Sequence, residues 1–260
     1  MKDKPAFFDK PATLFAFLLF SGLTAGAQLI SPDTIALSGG TLIVQPIVHA
    51  SVVLTAGGKT IYADPVGGAV KYQGLAAPDI ILVTDIHGDH FDPATLHAIR
   101  REGTVLIVPQ AVADRLPDQD KSGIVILANG ADKQVAGIGI SAIPMYNLPA
   151  GNPNAMHTKG RGNGYVLTVN GNKIYLSGDT EDIPEMRSLQ GIDVAFVCMN
   201  LPYTMDIRHA ADAVLAFKPK IVFPYHYRGQ KGFSDIQGFR NLVIAGDPSI
   251  DVRLRSWYPG

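Results

Sequence analysis

Short apolar runs divided by Gly, Pro and Asp dominate the sequence from residue 35 onward. Three successive strands are predicted by "TLIVQPIVHASVVLT", "KTIYADP" and "DIILVTD", with Gly57-Gly58 as the hairpin turn between the first two. Further strands are predicted by "TVLIVP", "GIVILA" and "GIGISAIP", and Asn170-Gly171 predicts a second hairpin within "YVLTVNGNKIYLSGDT". The chain is therefore expected to be built mainly of short strands.

The first predicted helix has sequence signals at both ends. It lies in "DPATLHAIRREG", where Asp92 is the expected N-cap, Pro93 takes the first helical position and Gly103 follows the end. Asp and Pro at these positions favour the start of a helix, and Gly favours its termination.

Three more helices are predicted in the second half of the chain, near 184–189, from about 206 to 217, and from 234 to 245 with Ser234 as the N-cap. A loop rich in Gly and Asn precedes them, "YNLPAGNPNAMHTKGRGNG". Many strands with helices between them predict a layered α/β sandwich, and we expect residues 28–260 to form one domain.

The N-terminus has the features of an export signal. Three lysines precede an apolar run from residue 12 to 23, and Ala25-Gly26-Ala27 matches the small-x-small pattern of a cleavage site. This run is too short for a comfortable membrane span. Residues 1–27 are therefore predicted to be a signal peptide, with an uncleaved anchor as the alternative. The mature protein is expected to be periplasmic or secreted, without a stable membrane anchor.

Charge and cysteine content narrow the classes of function. The net charge is −1 and no run of Lys or Arg occurs, so the basic face that nucleic-acid binding needs is missing. Cys198 is the single cysteine, so no intramolecular disulfide can form. It lies within the apolar run "DVAFVCMN" and is predicted to be a buried small side chain rather than a nucleophile.

Side chains able to bind a metal recur next to predicted strands, above all in "TDIHGDHFDP" directly after "IILV". They are Asp85, His87, Asp89, His90, His157, Asp179 and His226. Loops at one edge of a sheet can converge on one point, and a rigid sheet holds them there. Imidazole and carboxylate together suit Zn²⁺ and other first-row divalent ions. The sequence therefore predicts a metal site.

The segment "TDIHGDHFDP" resembles the H-x-H-x-D-H motif of the metallo-β-lactamase-fold superfamily. The downstream order of His157, Asp179 in "SGDT" and His226 resembles the remaining ligand motifs of that superfamily. Within it, "HASVVLTAGGKTIYADP" and "SGDTEDIPEM" are most similar to small stand-alone hydrolases related to ascorbate-phosphate lactonase. The resemblance covers roughly residues 42–228. It implies a four-layer αββα sandwich, with two mixed sheets between outer helices.

The resemblance also implies two divalent metal ions; the ligand types favour Zn²⁺, and Asp85 keeps Mn²⁺, Fe²⁺ or a single metal open as alternatives. The implied ligands of one metal are the residue at 85, His87 and His157, and those of the other are Asp89, His90 and His226. Asp179 is the implied bridge between the two metals. Such a pair would activate a water to attack a small-molecule ester, lactone or phosphoester, with Asp89 orienting the nucleophile or protonating the leaving group.

Position 85 departs from the family pattern, because Asp stands where the motif has its first His. Asp85 is interpreted first as a direct ligand, whose hard oxygen moves the metal preference toward Mn²⁺ or Fe²⁺. The alternatives are a weakened first position with one working metal, or a carboxylate that only supports the ligands. A non-catalytic exported metal-binding protein is the alternative function that this departure keeps open.

Other residues are given supporting roles. His157 is favoured over Asn147 as the ligand of its region, and Asn147 is then expected to be a donor in the substrate pocket. Tyr203 is a candidate donor to a substrate oxyanion, with a packed aromatic side chain as the equal alternative. His49 and Asp64 match residues that the family keeps beside the metals, and both are predicted to be partners of the ligands.

Overall fold

A computed structural model of the chain describes Met1 and residues 29–258. The predicted signal peptide, apart from Met1, and its cleavage site lie outside the described residues. None of the helices in the described part has the length and apolar character that a bilayer span requires.

The first half of the chain forms a seven-stranded sheet in sequential order. Its strands are β1 (Asp33–Leu37), β2 (Gly40–Val48), β3 (Ser51–Ala56), β4 (Lys59–Ala63), β5 (Ile80–Leu82), β6 (Val105–Val108) and β7 (Ile124–Ile126). Strands β1 to β4 pair antiparallel, and β4 to β7 pair parallel. The carboxyl ends of the parallel strands therefore lie at one edge of the sheet.

The second half repeats this plan. Its sheet contains β8 (Asp132–Val135), β9 (Ile138–Met145), β10 (Gly162–Val169), β11 (Asn172–Leu176), β12 (Val194–Cys198), β13 (Ile221–Tyr225) and β16 (Asp251–Val252). Strands β8 to β11 pair antiparallel, and β11, β12, β13 and β16 pair parallel. A separate small hairpin is made by β14 (Arg228–Gly229) and β15 (Gly232–Phe233).

Helices cover the outer faces of both sheets. They are α1 (Pro93–Ile99), α2 (Gln110–Ala113), α3 (Pro184–Arg187), α4 (Ile207–Phe217) and α5 (Ile236–Gly246). Alternate residues of one strand face opposite sides of its sheet. Ile81 accordingly packs in one apolar cluster with Leu96 of α1. Its neighbour Ile80 belongs to a second, larger cluster, which lies between the two sheets and also contains Val214 of α4 and Phe239 of α5. The predicted four-layer αββα sandwich is confirmed.

Two strand boundaries differ from the sequence prediction. The run "TLIVQPIVHASVVLT" is not one strand, because the chain turns between β2 and β3 at His49, whose φ is 50° in the left-handed region. The predicted loop "YNLPAGNPNAMHTKGRGNG" is also too long, since β10 begins at Gly162 and pairs with Met145 there. Backbone pairing overrides the low strand propensity of Gly and Asn at this point.

Two helix ends also differ from the prediction. Helix α1 ends at Ile99 because Arg100 has an extended ψ of 141°, so the predicted end near Gly103 is wrong. The N-cap of α5 is Asp235 rather than Ser234, since the Asp235 carboxylate accepts a hydrogen bond from the backbone N–H of Gly238 at 2.8 Å. The Ser234 hydroxyl instead donates to the carbonyl of Met199.

Candidate metal centre

The fold brings the predicted ligand loops to one place because each loop begins or ends at the same edge of a sheet. The loop of residues 85–90 follows β5, Asp179 follows β11 and His226 follows β13. His157 precedes β10, which pairs antiparallel with β11, so the amino end of β10 lies beside the carboxyl end of β11. All seven candidate ligands therefore lie where the two sheets meet.

The Asp179 carboxylate is the hub of this cluster. Its Oδ2 lies 3.2 Å from Nε2 of His157 and 3.3 Å from Nε2 of His90, and its Oδ1 lies 3.4 Å from Nε2 of His226. The Asp89 Oδ2 lies 3.3 Å from the same His226 nitrogen. Both oxygens of one buried carboxylate thus face imidazoles, as a bridging ligand must.

A second group of candidate ligand atoms lies beside this hub. Asp85, His87 and His157 each offer one atom, and these atoms lie within 4.8 Å of one another. The Asp85 Oδ2 is 2.8 Å from Nδ1 of His87 and 3.9 Å from Nε2 of His157. His90, Asp179 and His226 form another group with the same spacing, and a third group, made of His49, Asp89 and His226, shares His226 with it. The arrangement therefore offers two adjacent positions for a cation.

Several buried polar atoms of this cluster have no hydrogen-bond partner among the described residues. They include Nε2 of His90, both ring nitrogens of His157, and Oδ1 of Asp179. A buried polar atom without a partner loses roughly 1–3 kcal/mol of solvation that nothing replaces. A divalent cation would satisfy these nitrogen and oxygen atoms together, so the residues present fit a metal.

The pKa of Asp179 agrees with this fit. Burial alone would raise the pKa of its carboxyl, but the charges of His90 and His226 and the His157 imidazole 3.2 Å away hold that pKa well below its usual range. The side chain is therefore an anion, the form in which a carboxylate binds metals.

Asp64 determines which nitrogen of His90 faces the cluster. Its Oδ2 lies 2.8 Å from Nδ1 of His90, and the N–H and hydroxyl of Thr84 donate to the two oxygens of Asp64 at 2.7 and 2.6 Å. A carboxylate on Nδ1 keeps a hydrogen at that atom, so a metal would bind Nε2 in place of the proton there. The structure thus places Asp64 beside His90, a candidate ligand.

His49 contacts the opposite side of the cluster. Its carbonyl accepts a hydrogen bond from the backbone N–H of His226 at 3.2 Å, and the two rings meet edge to face with centroids 5.6 Å apart. Its ring nitrogen lies 3.4 Å from the hydroxyl of Tyr258. His49 therefore orients the segment that bears His226.

Asn147 lies behind the cluster and not in the pocket. Its Oδ1 accepts the backbone N–H of His157 at 2.7 Å, and its Nδ2 donates to Glu181 at 3.1 Å and to the carbonyl of Tyr203 at 2.9 Å. Every polar group of the amide is used within the protein. The structure therefore gives Asn147 the role of holding the His157 loop, in place of the predicted role of a pocket donor, and it is His157 that reaches the hub.

An open cavity of about 200 Å³ leads from the cluster to solvent. It is lined by His87, Asp89, Met156, His157, Asp179, Asn200 and Tyr203. Tyr203 is half-buried and lines this cavity, so its hydroxyl lies where it can donate a hydrogen bond to a substrate. Cys198 is fully buried away from the cavity, and burial raises the pKa of its thiol to about 12, which excludes it as a nucleophile at neutral pH.

Sequence reasoning missed two side chains of the centre. Arg161 donates two parallel hydrogen bonds to Asp85, from Nε to Oδ1 at 3.0 Å and from Nη2 to Oδ2 at 2.8 Å. The side-chain Nδ2 of Asn200 lies 3.3 Å from Nε2 of His226, and Asn200 also lines the cavity. Arg161 lies in an aperiodic Gly-rich loop, and the one available signal was the extra negative charge at position 85.

Comparison with known proteins gives the same answer as the geometry. Residues 44–226 match the model of the beta-lactamase superfamily domain. The chain belongs to the beta-lactamase superfamily. The matched span begins in β2 and ends at His226, so it contains all seven candidate ligands.

Similar members of the superfamily are named as hydrolases. A UPF0173 metal-dependent hydrolase of Thermococcus onnurineus is 31% identical over 209 residues, which cover 76% of this chain and 90% of the relative. A second one, of Thermococcus kodakarensis, is 31% identical over 217 residues, covering 80% and 93%. The predicted class, a metal-dependent hydrolase of this superfamily, is confirmed.

Solved structures agree with the superfamily assignment. A candidate metal-dependent hydrolase of Parabacteroides distasonis superposes with a TM-score of 0.77 at 36% identity, covering 86% of this chain and 98% of that chain. Igni18, a metallo hydrolase of Ignicoccus hospitalis, superposes with a TM-score of 0.70 at 23% identity over 83% and 95% of the two chains. At that identity, Igni18 supports the fold alone.

Proposed function

We propose that the protein hydrolyses an ester, lactone or phosphoester of a small molecule, with one or two divalent ions, Zn²⁺ first, bound at the cluster around Asp179. The observation that supports this is the convergence of four imidazoles and three carboxylates, of which all but His87 and Asp89 are buried and several have atoms with no other partner. Imidazole with carboxylate is the ligand set of hydrolytic zinc sites.

A bound divalent ion supplies Lewis-acid polarisation of the substrate oxygen and lowers the pKa of water. The chain's own residues supply orientation and proton transfer. Burial would raise the pKa of Asp89, but hydrogen bonding with His226 and the charge of His90 hold that pKa below its usual range. Asp89 is therefore a carboxylate that accepts a hydrogen bond from the attacking water and afterwards moves the proton toward the leaving group. The Tyr203 hydroxyl donates to the oxygen on which negative charge develops.

The mouth of the cavity favours an apolar substrate. Met156, an exposed large hydrophobic side chain, lines the cavity itself, and three more, Leu148, Leu201 and Phe233, line two neighbouring pockets. No Lys or Arg occurs among the residues that line the central cavity in the described part of the chain. These two facts favour an uncharged ester or lactone with an apolar substituent over a phosphoester, whose charge calls for cationic side chains.

The metal and the activity are tested together with one variant. Asp179→Ala removes the hub carboxylate, so we expect it to abolish both metal retention and hydrolysis of every ester, lactone or phosphodiester that the native protein turns over. Elemental analysis of protein purified without chelator, followed by assays on a panel of these substrates, measures both. Asp212→Ala, an exposed carboxylate on α4, is the matched control and should change neither. Full metal content and full activity in Asp179→Ala would refute the proposal.

The substrate class is tested at the cavity rim. Met156→Ser removes apolar surface from the lining, so we expect KM for an ester with an apolar acyl chain to rise by roughly five- to tenfold, with kcat little changed. Ile43→Ser, which replaces an exposed apolar side chain on β2, is the control. An unchanged KM would place the substrate elsewhere.

We also propose that the protein acts outside the cytoplasm, on the strength of its N-terminal sequence. The mature N-terminus is expected at Gln28. Mass spectrometry of the exported protein tests the cleavage site. Exported protein that still contained residues 1–27 would contradict cleavage before Gln28.

A further inference from the structure

Asp85 and Arg161 form an ion pair at the first of the two candidate cation positions. The Asp85 side chain is fully buried and the Arg161 side chain is 18% exposed. Their two hydrogen bonds run in parallel, at 3.0 and 2.8 Å, in the planar fork that guanidinium and carboxylate adopt. In the part of the chain that the structure describes, the side-chain hydrogen bonds of Arg161 both go to Asp85.

The fork leaves Asp85 able to bind a cation. Each carboxylate oxygen has two lone pairs, and the fork uses one on each oxygen. The Oδ2 atom also faces the imidazoles, 2.8 Å from Nδ1 of His87 and 3.9 Å from Nε2 of His157. One oxygen thus contacts the guanidinium on one side and the candidate ligands on the other.

Together, Asp85 and Arg161 carry the same net charge as the neutral histidine that the family motif has at position 85. The family motif has a neutral imidazole at position 85, and Asp adds one negative charge there. Arg161 adds one positive charge and never loses it at physiological pH. The net charge around the two cation positions is therefore the same as with a histidine at position 85.

Arg161 reaches this place together with a candidate ligand. Its backbone N–H donates to the carbonyl of Thr158 at 3.2 Å, which closes a turn directly after His157. The loop that brings His157 to the hub thus also brings the compensating cation, while Asp85 arrives from the loop after β5. The two partners come from opposite sheets and meet only in the folded centre.

We propose that Asp85 and Arg161 act as one unit, a neutral ion pair that offers Oδ2 of Asp85 as a metal ligand in place of an imidazole. Arg161 is then a positioning residue for the first metal. This inference rests on the metal centre of the proposed function. If the two residues act as one unit, a histidine at position 85 should bind the first metal well only when the charge at position 161 is removed too.

The test exchanges the two positions separately and together. Asp85→His alone leaves the guanidinium without an acceptor beside a divalent cation, so we expect the first metal to bind at least about tenfold more weakly, or to be lost. Asp85→His combined with Arg161→Gln should recover the native stoichiometry. Asp85→His combined with Arg240→Gln, which removes an exposed charge on α5, should not. Elemental analysis and competition with a chelator measure both quantities.

A spectroscopic readout separates a ligand from a mere neighbour. Co²⁺ replaces Zn²⁺, and its visible absorption depends on the ligand atoms. The Co²⁺ spectrum of the double variant should differ from that of the native protein, since nitrogen replaces oxygen at one position. Identical spectra would overturn the assignment of Asp85 as a ligand.

A second variant covers the case in which Asp85→His does not fold, as judged by circular dichroism. Arg161→Lys keeps the charge but loses the planar fork, so we expect the first metal to bind several-fold more weakly at unchanged stoichiometry. Unchanged affinity would overturn the proposal, as would Asp85→His with native metal affinity or a double variant no better than Asp85→His. Native protein that binds no divalent metal would instead refute the proposed function itself.

Discussion

One carboxylate, Asp64, decides how His90 presents itself to the centre, although it is not a candidate ligand. It accepts hydrogen bonds from both donors of Thr84 and contacts Nδ1 of His90 at 2.8 Å. It also has a φ of 45°, a conformation that Asp and Asn adopt more readily than other residues except Gly. A substitution at this position therefore tests orientation alone if it preserves the backbone.

Asp64→Asn makes that test. The amide fits the same backbone conformation but is a weaker acceptor for the His90 N–H, so we expect metal affinity to fall by roughly 10- to 100-fold with the fold retained. Competition with a chelator, alongside circular dichroism, measures the effect. Native affinity in this variant would mean that Nδ1 of His90 is oriented by other groups.

At this scale the sequence predicts candidate ligands better than their supports. The candidate ligands share residue types and positions after strands, so His87 and Asp179 are recognisable without a structure. Arg161 is different, since its role depends on a carboxylate 76 positions away and its loop has no pattern. Asn147 shows the same limit, because nothing local indicates that its amide faces the protein and not the cavity.

Helix ends are the elements where local chemistry gives a direct prediction of stability. In α5 the cap is Asp235, whose Oδ1 accepts the N–H of Gly238 at 2.8 Å. Asp235→Ala should lower the free energy of unfolding by about 1 kcal/mol, the usual effect of losing an N-cap. Urea denaturation measures this, with Asp212→Ala as the control on α4. A change no larger than that of the control would leave α5 without a side-chain cap.

Strand positions were predictable because apolar runs and Asn-Gly or Gly-Gly turns are local signals. The hairpin at Asn170-Gly171 joins β10 to β11 as expected. The break at His49 was not predictable, since an apolar run continues on both sides of it. That turn is fixed by tertiary pairing, in which β2 and β3 meet antiparallel and the His49 carbonyl contacts His226.

The whole molecule should melt at a lower temperature without its metal. Loops from both sheets meet in the centre, and an ion that binds only the folded state stabilises it by about 2.7 kcal/mol at 100 times its Kd. We therefore expect dialysis against a chelator to lower Tm by roughly 5–10 °C and added Zn²⁺ to restore it. Thermal unfolding followed by circular dichroism tests this, with Asp179→Ala as the variant that should not respond. Coincident melting curves with and without chelator would contradict it.

The two sheets share one strand arrangement, which suggests how the fold of this chain arose. Each sheet has four antiparallel strands, and a carboxylate follows the fourth of them, Asp64 after β4 and Asp179 after β11. Doubling and fusion of one ancestral half would place both carboxylates in a single event. One would then have become the hub of the centre and the other the partner of His90. On that history the candidate cavity would have begun as the interface between two copies of such a half.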